Sequence, residues 1–400
     1  MNLTSAHPFW FECNGFLNTY PFLDHDLECD VVVIGAGITG AIITYELSKL
    51  GRSIVVLDAR DVCRGSTAAT TALIQYEIDV PLVNMSKHIG FDKASRAYQL
   101  SFAAIDTLEQ IVQESGAICD FQRKTSIYLA SDRTSAKLLA DEARMRKAVG
   151  LEVLYHRSDS IQSQFGLKGS AALTSHQAAS CDPYRLSHGL LVASVRRGVQ
   201  VFDRTLVEKF KFSDDGVTLR TSRGVQVKSK RVVIANGYEA QQLLSEQIVN
   251  LDNTYAVVSQ PLASLAPWNA DWMLWEAKEP YLYIRATADN RLLAGGEDDA
   301  FYSPQKRDRV VEQKSKAIRK KVMELIPGLD WEVDHSWAGT FGHTRDGLPY
   351  IGESAEFPNC YFALGFGGNG ITFSTIASQL ISSKMRDEAT PDLELFRFGR

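Results

Sequence analysis

Cys29-Asp-Val-Val-Val-Ile-Gly-Ala-Gly-Ile-Thr-Gly40 decides the fold. Asp30 to Ile34 is a short, nearly all-apolar run, the pattern of a parallel strand buried on both faces. Gly35-Ala-Gly37-Ile38-Thr39-Gly40 follows at once, and Ala41 to Leu50 reads as a helix stopped by Gly51. A second apolar run, Ser53 to Leu57, ends in Asp58. This is a βαβ unit with G-x-G-x-x-G at the strand-to-helix turn. Gly35 permits the tight turn, Gly37 lets a pyrophosphate approach the backbone, and Gly40 lets helix and strand pack closely. Free N–H groups at the helix start face the anion, and Asp58 is placed to accept hydrogen bonds from ribose hydroxyls.

Outside that unit the bulk properties set limits. Four hundred residues give two or three domains' worth of chain. A net charge of −5, from 43 basic and 48 acidic residues, gives no reason to expect nucleic-acid binding. The six cysteines are scattered with no C-x-x-C pair, which points to reduced thiols in a cytoplasmic protein and to no metal site. No apolar run is long enough to span a membrane, and no signal peptide is expected. Residues 1–28 carry Phe9, Trp10, Phe11, Phe16, Tyr20 and Phe22. Such a segment is expected to pack on the domain surface or on the partner of a homo-oligomer.

Along the rest of the chain, helices are predicted at 92–116, 134–149, 183–197, 308–325 and 372–383. Strands are predicted at 198–202, 217–220, 225–227 and 231–235, the last ending at Ala235-Asn236-Gly237, where a parallel strand meets a ligand. From Gln241 to Trp331 short aromatic-rich strands suggest a second unit, an antiparallel sheet with helices, with a hairpin turn at Asp289-Asn290. The run Val62 to Leu73, rich in Ser and Thr, reads equally as a phosphate-side segment or as a solvated loop.

Three stretches together carry a resemblance: the βαβ unit, the strand ending in Ala235-Asn236-Gly237, and the pair Trp337-Ala-Gly-Thr-Phe-Gly-His-Thr-Arg-Asp-Gly-Leu-Pro-Tyr-Ile-Gly352 and Leu364-Gly-Phe-Gly-Gly-Asn-Gly-Ile-Thr372. Over residues 28–385 the chain resembles the D-amino-acid oxidase-like FAD-dependent oxidoreductases, which include glycine, sarcosine and γ-glutamylputrescine oxidases. The resemblance implies an α/β fold, with a Rossmann-like FAD-binding domain discontinuous over 1–90, 165–240 and 335–400. An α+β substrate domain with an antiparallel sheet would take 91–164 and 241–334. It implies FAD in the Gly35–Asp58 unit, with Ala59 and Arg60 beside it, Ser66 and Thr67 near the phosphates, and Val207 against the adenine. Gly339, Thr340 and the turn Gly368-Asn369-Gly370-Ile371-Thr372 would wrap the isoalloxazine.

The departures from the family pattern carry information. Arginines that hold a substrate carboxylate in glycine oxidase and D-amino-acid oxidase are replaced here by Phe341 and, for a second one in glycine oxidase, by Gly368. Simple D-amino acids and glycine are therefore poor substrates on this reading. Positions that link flavin covalently in some relatives are Gly339 and Ala69, so FAD is expected to be non-covalent. Candidate catalytic residues are Gln75, Tyr283, Arg285 and His343. Tyr281, Tyr283 and Arg285 share one face of a strand, read either as an aromatic wall with a cation for a distal carboxylate or as an outer sheet face. Glu77 or Asp79 could attract a cationic amine, or be solvated loop acids, and Glu297-Asp298-Asp299 reads as a solvated turn. The implied reaction is oxidation of an amine or N-substituted amino acid to an imine, with molecular oxygen or another electron acceptor. Two alternatives stay open: a dehydrogenase feeding a non-oxygen acceptor, acting on an amine or a hydroxy acid, and a non-catalytic flavin-binding subunit.

Overall fold

The computed structural model describes residues 2–400. Two sheets organise them. The first has the strand order Tyr350–Ser354, Phe357–Leu364, Gln226–Ile234, Leu27–Ile34, Ile54–Leu57, Gln200–Phe202. All neighbours from Phe357–Leu364 onward run parallel. The strand Leu27–Ile34 shows why its sequence is uniformly apolar. Val31 and Val33 enter one hydrophobic cluster, and Val32 and Ile34 enter another on the opposite face. The helix Ile38–Ser48 follows, with Gly51 just past its end.

The second sheet has nine strands, in the order Val333–His343, Asn250–Ser259, Leu292–Ala300, Leu282–Ala286, Trp272–Glu276, Gln122–Ala130, Ala171–Ser180, Leu73–Gln75. The ninth strand, Leu154–Arg157, pairs with Ala171–Ser180. Pairing is antiparallel except between Trp272–Glu276 and Gln122–Ala130. Leu73–Gln75, Ala171–Ser180 and most of Val333–His343 fall in the ranges expected for the FAD-binding domain, and all three strands pair in the second sheet. One buried cluster continues through both sheets, joining Val31 and Val56 to Tyr128, Leu173 and Trp275.

Most predicted helices form within a few residues of their expected ends: Phe91–Ser115, Arg133–Ala148, Pro183–Val195 and Gly370–Met385. Two expectations change. The strands expected at 225–227 and 231–235 are one strand, Gln226–Ile234. Its first half alternates buried and exposed residues against Gly216–Thr221, and its second half is buried between parallel neighbours. The helix expected at 308–325 breaks at Val310 into Pro304–Arg309 and Val311–Leu325.

Between the sheets runs a strap, Ser66 to Val80, with only Leu73–Gln75 in a strand. Irregular backbone in an interior must find partners for its carbonyls. Most come from far along the chain. Trp337 Nε1 donates to the Ala69 carbonyl (2.8 Å) and Trp10 Nε1 to that of Thr70 (2.7 Å). Arg285 Nε donates to Thr71 (2.6 Å), Thr372 Oγ1 to Gln75 (2.9 Å), Asn369 Nδ2 to Glu77 (2.7 Å) and the Tyr98 hydroxyl to Val80 (3.0 Å).

Arg285 is thus a structural donor. Its other nitrogens donate to Ala286 and Cys181 carbonyls, and it is 2% exposed. Burial draws its pKa down to about 10, so it stays charged at neutral pH. Trp10 lies on the short helix Phe9–Asn14, with Phe9 stacked on Trp337 (5.7 Å between centroids). Replacing Arg285 with Met leaves three carbonyls without their donor. A loss of about 3 kcal/mol is expected, since each buried carbonyl left unpaired costs on the order of 1 kcal/mol. Chemical denaturation measures it.

Candidate active site

One continuous cavity of about 1320 Å³ runs from the carboxyl ends of the parallel strands to the inner face of the second sheet. At one end the chain turns at Gly35, with φ +104°. A Cβ there would lie 2.5 Å from the Ala235 carbonyl oxygen. Gly40 does not line the cavity. Its place is underneath, where a Cβ would sit 1.8 Å from the Gly35 carbonyl oxygen. Helix Ile38–Ser48 therefore rests directly on the strand, and its first N–H groups open onto the cavity. Thr67 Oγ1 accepts from the Ile38 N–H at 2.9 Å.

Asp58 ends the second strand. Its carboxylate accepts from the N–H groups of Ala36 (2.7 Å) and Arg60 (2.9 Å), which fixes the glycine turn against that strand. Burial raises its pKa. Gly37, Ile38, Thr39, Asp58, Ala59, Arg60, Ser66, Thr67, Val207, Ala235, Asn236 and Gly237 all line this end. The Arg60 guanidinium is paired in a fork with Glu239 (3.1 and 3.0 Å).

The other end is closed by the start of helix Gly370–Met385. Gly339, Thr340, Gly368, Asn369, Gly370, Ile371 and Thr372 line it. The Thr340 hydroxyl is taken up by buried Arg307 (3.1 Å) and by Asn253 Oδ1 (3.2 Å), so the backbone is what Thr340 offers. Asn369 is 3% exposed, and its side-chain oxygen has no partner among the described residues. A long cavity with a helix N-terminus at each end, a carboxylate at the adenosine position and an orphaned amide oxygen fits FAD.

Of the four candidate catalytic residues, the structure brings Gln75, Tyr283 and His343 to this cavity and leaves Arg285 outside it. Tyr283 lies across Gly295, where a Cβ would fall 2.3 Å from its hydroxyl oxygen, and that hydroxyl lies 3.1 Å from Thr254 Oγ1. Tyr281 stands beside it, 6.0 Å between centroids. His343 Nδ1 lies 3.0 Å from Asp252 Oδ2. The stacked pair Tyr128–Trp275 (3.6 Å between centroids) adds a flat wall.

Two acids also face the cavity. Asp79 Oδ2 accepts from the Gly368 N–H at 2.7 Å. Asp298 was expected in a solvated turn and instead reaches the cavity from the strand Leu292–Ala300. The sequence signal was Gly295-Gly296 just before the acids, a place where a strand bulges. Glu77 does not line the cavity. It is buried, 3.6 Å from Arg146 and bonded to the Ser126 hydroxyl at 3.0 Å. Gly40→Ala should push the helix off the strand and weaken FAD binding by more than about tenfold. The flavin absorbance of the purified protein measures this.

The comparisons with known proteins agree with this geometry. γ-Glutamylputrescine oxidoreductase of Escherichia coli is 24% identical over 92% of this chain and 86% of its own. Glycine oxidase of Geobacillus kaustophilus is 25% identical over 93% of this chain and 97% of its own. The crystal structure of that glycine oxidase superposes with a TM-score of 0.77, covering 94% of this chain and 99% of that one. L-Proline dehydrogenase from P. horikoshii superposes with a TM-score of 0.78 at 19% identity, covering 94% and 97%. A family model, DAO, described as FAD dependent oxidoreductase, matches residues 30–384, and the chain belongs to that family.

Proposed function

We propose that the protein oxidises the C–N bond of a cationic amine to an imine. The observation that carries this reading is the charge at the substrate end of the cavity. Asp79 and Asp298 face it, Arg285 is turned away onto backbone carbonyls, and Phe341 lines it where an arginine would grip an α-carboxylate. A carboxylate bound there would meet like charge with no guanidinium to offset it. A cation gains from the same arrangement. When bound, FAD would supply the two-electron acceptor for hydride leaving the carbon next to nitrogen. The ammonium must first give a proton to solvent or to a cavity carboxylate, because only the neutral amine has the lone pair that becomes the C=N bond.

The chain's own residues orient and enclose. Tyr281, Tyr283 and the Tyr128–Trp275 pair form apolar walls that exclude water. Lys278, exposed on the cavity's rim, would meet a carboxylate carried away from the reacting carbon, as in an N-substituted amino acid. On this reading the first sheet holds the cofactor and the second supplies the substrate's walls. FAD is held without a covalent bond. Ala69 and Gly339 offer no side chain to link, and the cysteine on the cavity, Cys63, sits at the glycine-turn end with its thiol donating to the Ala36 carbonyl (3.3 Å).

Anaerobic mixing with amines, α-amino acids and hydroxy acids tests the reading. Bleaching of the oxidised flavin band by amines is expected. Bleaching by hydroxy acids alone would overturn it. Readmitted oxygen then separates an oxidase, which recovers its colour at once, from a dehydrogenase that needs another acceptor. Acid precipitation should release the flavin into the supernatant.

A further inference from the structure

We propose that Asp298 is the anchor for the substrate's ammonium group, aimed by a bulge in its strand. This rests on the amine reading above. The bulge lies where Leu292–Ala300 pairs with Asn250–Ser259. Gly296 faces Tyr255 and Asp299 faces Asn253, so Glu297 and Asp298 together stand opposite the single residue Thr254. Glu297 takes a left-handed φ of +58°, which a non-glycine residue adopts at a cost. A bulge re-aims the side chain beside it, and here that side chain is Asp298.

The three acids in the run then divide. Glu297 is held from the helix Val311–Leu325. Lys321 Nζ lies 2.5 Å from its carboxylate, and Lys314 Nζ donates to its carbonyl at 2.7 Å. Asp299 accepts from the Tyr255 hydroxyl (3.0 Å) and pairs with Lys314 (3.2 Å). Asp298 has no ion-pair partner among the described residues, and its Oδ1 is buried without a hydrogen-bond donor. It lines the cavity with Tyr281 and Tyr283 from the next strand, Thr254 and Asp252 from the opposite strand, and Asp79 from the strap. The hydroxyls of Thr254 and Tyr281 face its carboxylate. His343, paired with Asp252 at 3.0 Å, is the titratable base beside this set, and it leaves Asp298 without a cation of its own.

Burial, with Asp79 and Asp252 adding to it, pushes the Asp298 pKa up to about 6. The carboxyl is charged above that pH and neutral below it, so its hold on a cation should fade as pH drops through 6.

Three isosteric probes test the assignment on FAD-loaded protein: tert-butylammonium, tert-butanol and pivalate. None carries hydrogen on the atom-bearing carbon, so none is oxidised there, and binding is read from the flavin spectrum. The wild type should prefer tert-butylammonium to tert-butanol by about tenfold or more at pH 8. D298N should lose about tenfold for the cation, leave tert-butanol unchanged and flatten the fall in affinity near pH 6. D299N, altered in the same run but outside the cavity, is the control. Unchanged cation binding in D298N would overturn the assignment while leaving the amine reading standing. A wild type that prefers pivalate would overturn the amine reading itself. If D298N does not hold FAD, D298E should bind the cation, and a D298E protein that binds all three probes alike would also overturn the assignment.

Discussion

Everything in this molecule is arranged around the carbonyls of one strap. Residues 66–80 pass between two sheets without the hydrogen-bond ladder of either, apart from three residues. Each buried carbonyl left unpaired would cost on the order of 1 kcal/mol or more. Six side chains carry that burden: Trp10, Tyr98, Arg285, Trp337, Asn369 and Thr372. Their roles follow from donor geometry. The indole N–H is donor only, the guanidinium is a fork of donors, and an amide can reach a carbonyl while keeping its own oxygen for another use.

The strap sets the site because its donors are also the site's walls. Asn369 and Thr372 open the last helix, so tying the strap to them places that helix's N-terminus over the cavity. Farther along, the Glu142 carboxylate accepts from the N–H groups of Leu82 and Val83 (2.9 Å each) at the start of the next helix. Buried Arg146 joins Glu142 at 2.8 Å and lies near Glu77. This pair is stabilising only as a complete set, because removing one partner strands a buried charge. Its place is to hold the strap's far end, where Asp79 meets the Gly368 N–H.

How far the sequence speaks follows from the range of each interaction. The unit from Asp30 to Asp58 was legible because strand, turn and helix are local and Gly40 meets the Gly35 backbone within the same unit. The all-apolar strand and the helix stop at Gly51 were legible for the same reason. Arg285 was not. Its alternation with Tyr281 and Tyr283 was read correctly as a shared face, yet its partners at Thr71 and Cys181 are 214 and 104 residues away. Asp298 was missed because the bulge at Glu297 breaks the two-residue period on which any strand reading rests. The single strand Gln226–Ile234 looked like two because it changes environment halfway along. Sheet membership of Leu73–Gln75 and Ala171–Ser180 was not legible, because a strand's neighbours rather than its own composition assign it to a sheet.

The strap also has an order in time. Its carbonyls at Ala69, Glu77 and Gln75 are satisfied by donors 268, 292 and 297 residues downstream. A growing chain on the ribosome has made the glycine turn and the first helix long before it has made those donors. Until then the strap's carbonyls face water, and the loops that must close are among the longest the chain possesses. The nucleotide half is thus written early and locked late. The cavity's second end needs Asn369 and Thr372, which the chain supplies only near its end.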